Sequence, residues 1–307
     1  MTFFSLLAAL LLEHFRPLGH PLPHYQAFWR YAQYIERQLN TGQYQHGVLA
    51  WLVAVLPVLI TVGVVYFLLG AASPLLAWAW SALVVYVTLG FKYFSKISAR
   101  IARALEAGDL DTARNALAEW RGLDASMLNA DDIARLATER TLESAHRQMF
   151  GVIVCFVLLS PLGPVGAVLY RLASILGRKW GSAGSAGQFG EFAARVYYWI
   201  NWIPARLTAL SFAVAGDFED AMYCWRTQAQ DWPDASEGIV LASGAGALGV
   251  RLGLAISAAG GRLQRPELGL GDSADAQYLG SAVSLSWRVL GLWLLTLLLI
   301  TLAKLAG

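Results

Sequence analysis

The sequence GVLAWLVAVLPVLITVGVVYFLLGAASPLLAWAWSALVVYVTLGF, residues Gly47–Phe91, contains 45 consecutive residues without Asp, Glu, Lys or Arg. The small-residue stretch Gly70–Pro74 divides it into two apolar runs of about 20 residues, which is close to the length that crosses a bilayer. We therefore expect a tight transmembrane hairpin, with spans over roughly 47–69 and 74–91.

The composition of the whole chain agrees with a membrane protein. Of its 307 residues, 57% are hydrophobic and 14% are charged, whereas about 25% of residues are charged in soluble domains. Mean hydropathy is +0.49. We expect an all-α, polytopic integral membrane helical bundle with re-entrant or kinked segments, and with the lipid bilayer as its partner. The net charge of only +2 gives no indication of nucleic-acid binding.

Charged interruptions divide the chain into four segments. These are an N-terminal part with a short apolar helix and a cytoplasmic helix (1–46), the transmembrane hairpin (47–91), a helical cytoplasmic insertion (92–147), and a membrane core that ends in a C-terminal transmembrane helix (148–307). The insertion carries nine basic and nine acidic residues, and the positive-inside rule places it in the cytoplasm. Its periodicity predicts two or three amphipathic helices, broken at Gly108-Asp109 and Asp131-Asp132.

The membrane core contains further apolar runs. Val196–Ala215 and Val283–Ala303 are each long enough to span a bilayer. Gln148–Tyr170 is interrupted by the sequence SPLGP, which predicts either one kinked span or a re-entrant pair. The basic loop expected to begin at Arg171 favours re-entry, and a small-residue helix is expected around Ile239–Ala258.

Arg206 is the only charged residue of the span Val196–Ala215. It lies near the middle of the span, where a charge is costly and usually faces a bundle interior or a wet cavity. Pro204, two residues earlier, lacks a backbone N–H and so frees a carbonyl in the helix. Arg206 is therefore either a ligand-binding residue or a structural tie to the carbonyls that Pro204 frees.

Glu139 and Glu143 are four residues apart and share one helix face just before the Gln148 run. Such a pair either holds Mg²⁺ or acts in acid–base chemistry, or it pairs with the neighbouring arginines. The ion-paired helix is the favoured interpretation.

Two other patterns are interpreted as structural. Gly244–Gly249 matches the dinucleotide-binding fingerprint by letter, but no strand is predicted before it. Gly249 and Gly253 are instead interpreted as a small-residue pair that lets helices approach closely. The five histidines lack the spacing of a zinc site, so no metal site is predicted.

The stretch NWIPARLT, Asn201–Thr208, resembles the signature of the CobD/CbiB group of membrane proteins. Three further stretches are similar in matching order: Ala137-Thr138 with Leu142, Gly166–Tyr170 (GAVLY) followed by Leu176-Gly177, and Gly246–Gly253 (GALGVRLG). The resemblance implies synthases that couple an aminopropanol phosphate to adenosylcobyric acid with ATP and Mg²⁺. We expect a ligand-binding set of five residues: Arg206, Arg251, Asn201, Glu139 and Glu143. Within this set, Arg206 and Arg251 are expected to bind an anionic group such as a phosphate or a carboxylate.

The sequence departs from the pattern of the synthases at its acidic positions. Tyr197 and Tyr198 replace an expected acidic pair, and no Asp stands near Ser174. The expected Glu-Asn-Thr-Ser-Asp run falls near Ser144–Gln148, which reads SAHRQ. Because Mg²⁺ prefers oxygen ligands, mainly carboxylates, we expect no catalytic residue, no metal and no cofactor.

The opening MTFFSLLAALLLEHF, Gly163–Val165 with Tyr170, and WIPARL at Trp202–Leu207 resemble the AmpE-like branch of this superfamily. The resemblance implies a multi-pass inner-membrane sensory, signalling or scaffold protein of the cell-envelope and β-lactam response. A protein of the envelope or of peptidoglycan recycling is its expected partner.

Two alternative functions remain open. The first is an adenosylcobinamide-phosphate synthase that uses Mg²⁺ and ATP and draws carboxylates from Glu139, Glu143, Asp217 and Glu219. The second is a protein that binds or transports a lipid or a small anion.

Overall fold

The computed structural model describes residues 2–16, 23–181, 187–258 and 261–306. In these ranges the backbone forms mainly helix. The α-helices are α1 (Thr2–Phe15), α2 (Pro23–Leu39), α3 (Tyr44–Ala72), α4 (Pro74–Thr88), α5 (Phe91–Glu106), α6 (Leu110–Arg121), α7 (Ala130–Ala145), α8 (Gly151–Leu158), α9 (Val165–Gly181), α10 (Gln188–Ala215), α11 (Phe218–Gln228), α12 (Ala235–Leu248) and α13 (Ala276–Ala306). The strands are β1 (Val250–Gly253), β2 (Ile256–Ala258), β3 (Gly261–Leu263), β4 (Glu267–Leu268) and β5 (Asp272–Ser273). The predicted all-α class is confirmed, although the short strands were not expected.

The chain folds into two compact units. The first unit comprises Met1–Gly90 and Arg147–Pro204, and the second comprises Phe91–His146 and Ala205–Gly307. Each unit is thus assembled from two separate stretches of sequence.

The predicted hairpin of the first unit is present as α3 and α4. The turn between them is a single residue, Ser73, whose Oγ accepts a hydrogen bond of 3.3 Å from the backbone N–H of Leu75. Pro74 occupies the first position of α4, where its fixed φ suits a helix and its missing N–H costs nothing. The Trp80 Nε1 donates across the hairpin to the Val62 carbonyl at 3.2 Å.

A second helical hairpin in the first unit resolves the Gln148–Tyr170 run. α8 ends at Leu158, a 3₁₀ turn follows at Ser160–Leu162, and α9 returns along α8. Gly163 makes the reversal, because its φ of 65° is strained for other residues. The run is therefore a pair of packed helices and not one kinked helix.

The loop expected to begin at Arg171 is absent, because α9 continues to Gly181. Leu172, Leu176 and Trp180 are buried along one side of this helix. The basic residues that suggested a loop therefore belong to an amphipathic helix. Most of the Gly/Ser-rich stretch after it lies outside the described residues.

The predicted insertion forms α5, α6 and α7 in the second unit. Asp109 caps α6 by accepting a hydrogen bond of 3.0 Å from Thr112 N, which confirms the break at Gly108-Asp109. The second break was misplaced. α7 begins after Asn129, which accepts a bond of 2.7 Å from Asp132 N, so the two aspartates stand in its first turn.

The helix expected around Ile239–Ala258 is wrong beyond Leu248. Gly249 adopts a left-handed φ of 65° and ends α12, and Gly253 lies in β1. β1 pairs antiparallel with β4 and parallel with β5, while β2 and β3 form a separate hairpin. A Cβ on Gly253 would lie 1.8 Å from the Pro266 carbonyl oxygen, so this glycine permits strand contact and not helix contact.

Three helical stretches have the length and composition to cross a membrane: Tyr44–Ala72, Pro74–Glu106 and Ala276–Lys304. In the most apolar part of the first stretch only 17% of the residues are buried, so its apolar side chains face outward. Val196–Ala215, within α10, is not among the three in the described chain. Its Asn201 and Arg206 lower the mean hydropathy of this expected fourth span.

The close contact between α8 and α9 predicts that alanine changes stability differently at two helical glycines, one in this contact and one outside it. A Cβ at Gly166 would lie 2.1 Å from the Cys155 carbonyl oxygen, whereas a Cβ at Gly280 in α13 would meet nothing within 4 Å. We expect Gly166→Ala to destabilise the protein by about 1–3 kcal/mol. Gly280→Ala should leave stability unchanged or raise it by up to about 1 kcal/mol.

Thermal unfolding of both variants in one detergent, followed by tryptophan fluorescence, checks this prediction. A melting temperature of Gly166→Ala equal to that of the unsubstituted protein would contradict the packing of α8 on α9.

Candidate functional site

The carboxylate cluster of the second unit is built on α7. Glu139 and Glu143 lie on one face of this helix, as their spacing predicted, and they are 0% and 3% exposed. Arg121, at the end of α6, bridges both: its Nη1 lies 3.1 Å from Glu139 Oε2 and its Nη2 lies 3.3 Å from Glu143 Oε1. The favoured interpretation as ion pairs is therefore what the structure shows.

Other donors complete the cluster. Arg140 Nη1 lies 3.1 Å from Glu143 Oε2, and Arg265 Nη2 contacts Glu139 Oε1. The backbone N–H of Gly253 also donates to Glu139 Oε1 at 3.0 Å. Three guanidinium groups thus surround two carboxylates. Through its bond to Gly253, Glu139 also ties the segment that contains β1 to α7.

The pKa of Arg121 shows that the ion pairs outweigh burial. Burial lowers this pKa, but the nearby carboxylates of Glu143 and Glu139 raise it more, so the net direction is upward. Arg121 stays charged, and its charge is compensated inside the unit.

The described residues do not fit a Mg²⁺ site at these carboxylates. The oxygens of Glu139 and Glu143 already accept from arginines and from a backbone N–H. Asp217 and Glu219 are exposed, and Asp217 accepts a bond from Asp220 N as the cap of α11. The described chain contains no group of three His, Cys, Asp or Glu residues arranged to hold a metal.

A second polar arrangement, the hydroxyl face, lies between α9 and α10 in the first unit. It consists of Tyr170 and Ser174 on α9 and Tyr197 and Asn201 on α10, all of them buried. Tyr170 Oη donates to Asn201 Oδ1 at 2.9 Å, and the Tyr170 and Tyr197 rings are 6.2 Å apart. Gly177 permits this contact, since a Cβ there would lie 2.6 Å from the Tyr197 Cβ.

Two positions where the resemblance expects acids, Tyr197 and Ser174, therefore meet at one helix interface. The Ser174 Oγ is buried and has no hydrogen-bond partner in the described chain. Both positions carry neutral hydroxyl groups, and neither supplies a carboxylate.

Arg171 is a buried cation that the sequence did not predict, because the basic residues after Tyr170 predicted a loop. Its side chain is buried in α9, where Nε donates to Tyr25 Oη at 3.0 Å. The guanidinium lies 4.8 Å from the centre of the Tyr25 ring. The sequence does contain a signal for this burial. Arg171 directly follows the apolar GAVLY run and continues the helical periodicity of its buried face.

The remaining predicted residues are placed differently. Arg206 is half-buried on α10 in the second unit, and Pro204 is a buried residue inside the same helix. Arg251 is an exposed residue of β1, 3.3 Å from Ser273 Oγ and 4.0 Å from Glu267 Oε1. Thr208, which no argument had selected, contacts the buried His146 at 2.9 Å between Oγ1 and Nδ1.

Comparison with known proteins gives the family and the relatives. A family model described as CobD/Cbib protein matches residues 2–286. The chain is 37% identical to the cobalamin biosynthesis protein CobD of Stutzerimonas stutzeri over 97% of both chains. It is 38% identical to the protein of that name from Chromobacterium violaceum, over 67% of this chain and 65% of the relative. The Photorhabdus laumondii protein of that name is 29% identical over 88% of both. No solved structure shows detectable similarity to the chain.

These relatives overturn the predicted function. They are named for cobalamin biosynthesis, so the expected AmpE-like role in the cell-envelope and β-lactam response is wrong. The resemblance to that branch relied largely on apolar stretches, whose composition is set by the bilayer and discriminates poorly between functions.

The carboxylate cluster yields a stability prediction. Glu139→Gln removes the charge that compensates Arg265 and part of Arg121, and breaking a buried ion pair costs about 3–5 kcal/mol. The segment 250–273 should also become more sensitive to limited proteolysis, because Glu139 holds Gly253. Asp111→Asn, at an ion pair whose carboxylate is 90% exposed, is the matched control and should change stability by less than about 0.5 kcal/mol.

Thermal unfolding and protease digestion of both variants in detergent test this difference. If Glu139→Gln behaves like Asp111→Asn, the cluster does not hold the fold together.

Proposed function

Because the chain belongs to the CobD/CbiB family, as the sequence resemblance predicted, we propose that it acts in cobalamin biosynthesis. The observation that carries the proposal is the match to the Stutzerimonas stutzeri protein, which extends over 97% of both chains. A match of this extent includes both compact units, and so it concerns the whole chain and not a shared module.

The reaction that we propose is that of an adenosylcobinamide-phosphate synthase, in which the amine of an aminopropanol phosphate is joined to a carboxylate of adenosylcobyric acid. The resemblance implies that ATP and Mg²⁺ activate this carboxylate. The described residues do not fit the metal, so no step is assigned to it. What the chain offers to such substrates is a set of cationic and neutral hydrogen-bond donors.

Within this proposal, Asn201, Arg206 and Arg251 remain candidate ligand-binding residues. Asn201 is buried, and its Oδ1 accepts a hydrogen bond from Tyr170 Oη. Glu139 and Glu143 are proposed as structural residues, because their oxygens are occupied by arginines. Gly249 and Gly253 are likewise structural, as the helix end and the strand contact that shape the β1 segment.

We further propose a multi-pass location in the bacterial inner membrane. Three apolar helical stretches and membership of a family of membrane proteins support this location. The envelope or peptidoglycan-recycling partner belonged to the overturned function and is not proposed.

Genetic complementation tests the proposed function. In a cobalamin-auxotrophic strain that lacks its own synthase of this family, expression of the chain should restore growth on medium supplied with cobyric acid. Growth should not differ between strains when the coupled product, adenosylcobinamide phosphate, is supplied, because that product bypasses the step. Failure to grow on cobyric acid, with the protein present in the membrane fraction, would overturn the proposal.

Cysteine labelling tests the proposed topology. Ala71 is an exposed residue near the end of α3, and Ala107 is an exposed residue directly after α5 in the insertion. The positive-inside rule predicts that Ala71→Cys reacts with a membrane-impermeant maleimide in intact spheroplasts, whereas Ala107→Cys reacts only after lysis. The unsubstituted chain is the control, since its Cys155 and Cys224 are buried. Equal labelling of both variants before lysis would contradict the hairpin as a membrane span.

A further inference from the structure

The first unit carries a strong excess of positive charge. Its two stretches contain eight Lys and Arg and three Asp and Glu residues, a net charge of +5, although the whole chain has only +2. Two of the three carboxylates are engaged elsewhere: Glu36 lies 3.0 Å from Lys179 Nζ, and Glu191 lies 2.8 Å from Arg195 Nη2. The third, Glu13, lies on α1.

Arg171 is the most deeply buried of these cations, with 7% of the residue exposed. Every acidic residue of the chain lies in the described ranges, and none of them forms an ion pair with Arg171 there. Its partners are neutral: the Tyr25 hydroxyl, the Tyr25 ring and the Arg147 carbonyl, 3.5 Å from Nη1. A buried charge with only neutral partners is costly, and such charges are normally paired with an opposite charge.

The neighbours of Arg171 fix its direction. Tyr25 Oη, which accepts from Arg171 Nε, itself donates to the carbonyls of Val87 and Thr88 at the end of α4, at 3.2 and 3.4 Å. This relay holds one edge of the guanidinium. Nη2 donates to no described residue, and it is not among the fully buried polar atoms that lack a partner. Nη2 is therefore the guanidinium nitrogen that is open to an anion.

We propose that Arg171, positioned by Tyr25, binds a phosphate group in the first unit. A guanidinium forms strong, charge-assisted hydrogen bonds to phosphate oxygens, and the contacts of Nε and Nη1 leave Nη2 available for one. The choice of phosphate rests on the proposed function, because one proposed substrate is an aminopropanol phosphate. The same chemistry is presented by an anionic lipid headgroup, and the experiment separates these two sources.

The experiment uses the full-length protein in neutral detergent. Calorimetric titration with O-phosphoethanolamine, a soluble amine phosphomonoester, should show binding, whereas ethanolamine should not bind. In a second arm, native mass spectrometry after reconstitution with phosphatidylglycerol counts the lipid molecules that the protein retains. Arg171→Gln should weaken phosphoethanolamine binding at least about tenfold, or remove one retained lipid if a headgroup is the source.

Arg178→Gln is the matched control, because Arg178 lies on the same helix and is exposed. It should bind as the unsubstituted protein does. Arg171→Lys keeps the charge if Arg171→Gln does not fold, and it should bind several-fold more weakly because the planar fork is lost. The proposal is overturned if neither probe binds, if Arg171→Gln equals Arg178→Gln, or if Arg171→Lys binds with unchanged affinity.

Failure of this proposal is distinct from failure of the proposed function. Complementation without binding at Arg171 rejects the phosphate site alone, whereas binding without complementation rejects the synthase reaction alone.

Discussion

Compensation of buried arginines is the constraint on which both units depend. A guanidinium removed from water needs an opposite charge or a set of well-placed acceptors, since its desolvation costs several kcal/mol in an apolar interior. The second unit meets this requirement with Glu139 and Glu143, which three arginines share. Because those arginines come from α6, from α7 itself and from the segment after β3, the same contacts that neutralise charge also fasten three parts of the chain together.

Arg171, the buried arginine of the first unit, forms no ion pair with a described carboxylate. Arg171 is surrounded by a hydroxyl, an aromatic ring and a backbone carbonyl, and the hydroxyl is tied to the end of α4. The carbonyls at the end of a helix carry partial negative charge, so the Tyr25 relay passes some stabilisation to the guanidinium. This arrangement orients the arginine but does not neutralise it. In the second unit the arginines are paired with carboxylates, which suits a structural role, whereas the unpaired charge of Arg171 suits binding of an anion.

The elements predicted correctly from the sequence are those controlled by local interactions. Three features specify a helix or a helix end through contacts within a few residues. They are the uncharged run from Gly47, the Ser73-Pro74 start of α4 and the Asp109 cap. The misplaced elements depend on distant partners. The small residues predicted a helix through Ala258. Instead, α12 ends at Leu248, and the chain after it forms β1, which pairs with β4 and β5. Neither pairing leaves a signal in a window of a dozen residues.

The candidate site was only partly predictable for the same reason. The spacing of Glu139 and Glu143 placed them on one face, yet Arg265, far along the chain, decides that Glu139 is an ion-pair partner. The sequence separation between Tyr25 and Arg171 likewise hid the contact that sets the direction of the arginine. Basic residues after an apolar run predict a loop, because charge usually ends a span, but the burial of Leu172 and Leu176 keeps α9 helical past Arg171.

The hydroxyl face suggests a physical reason for having hydroxyl groups where the family resemblance expects acids. Ser174 stands three residues after Arg171 on α9, so the two are neighbours along the helix surface. A carboxylate at Ser174 would compete with an external anion for the guanidinium, whereas a hydroxyl can donate a hydrogen bond to the same anion without adding charge. With a hydroxyl also at Tyr197, the described hydroxyl face supplies no carboxylate to pair with Arg171. Hydroxyls at these positions therefore favour direct contact between the protein and an anionic group over contact through a carboxylate-bound metal.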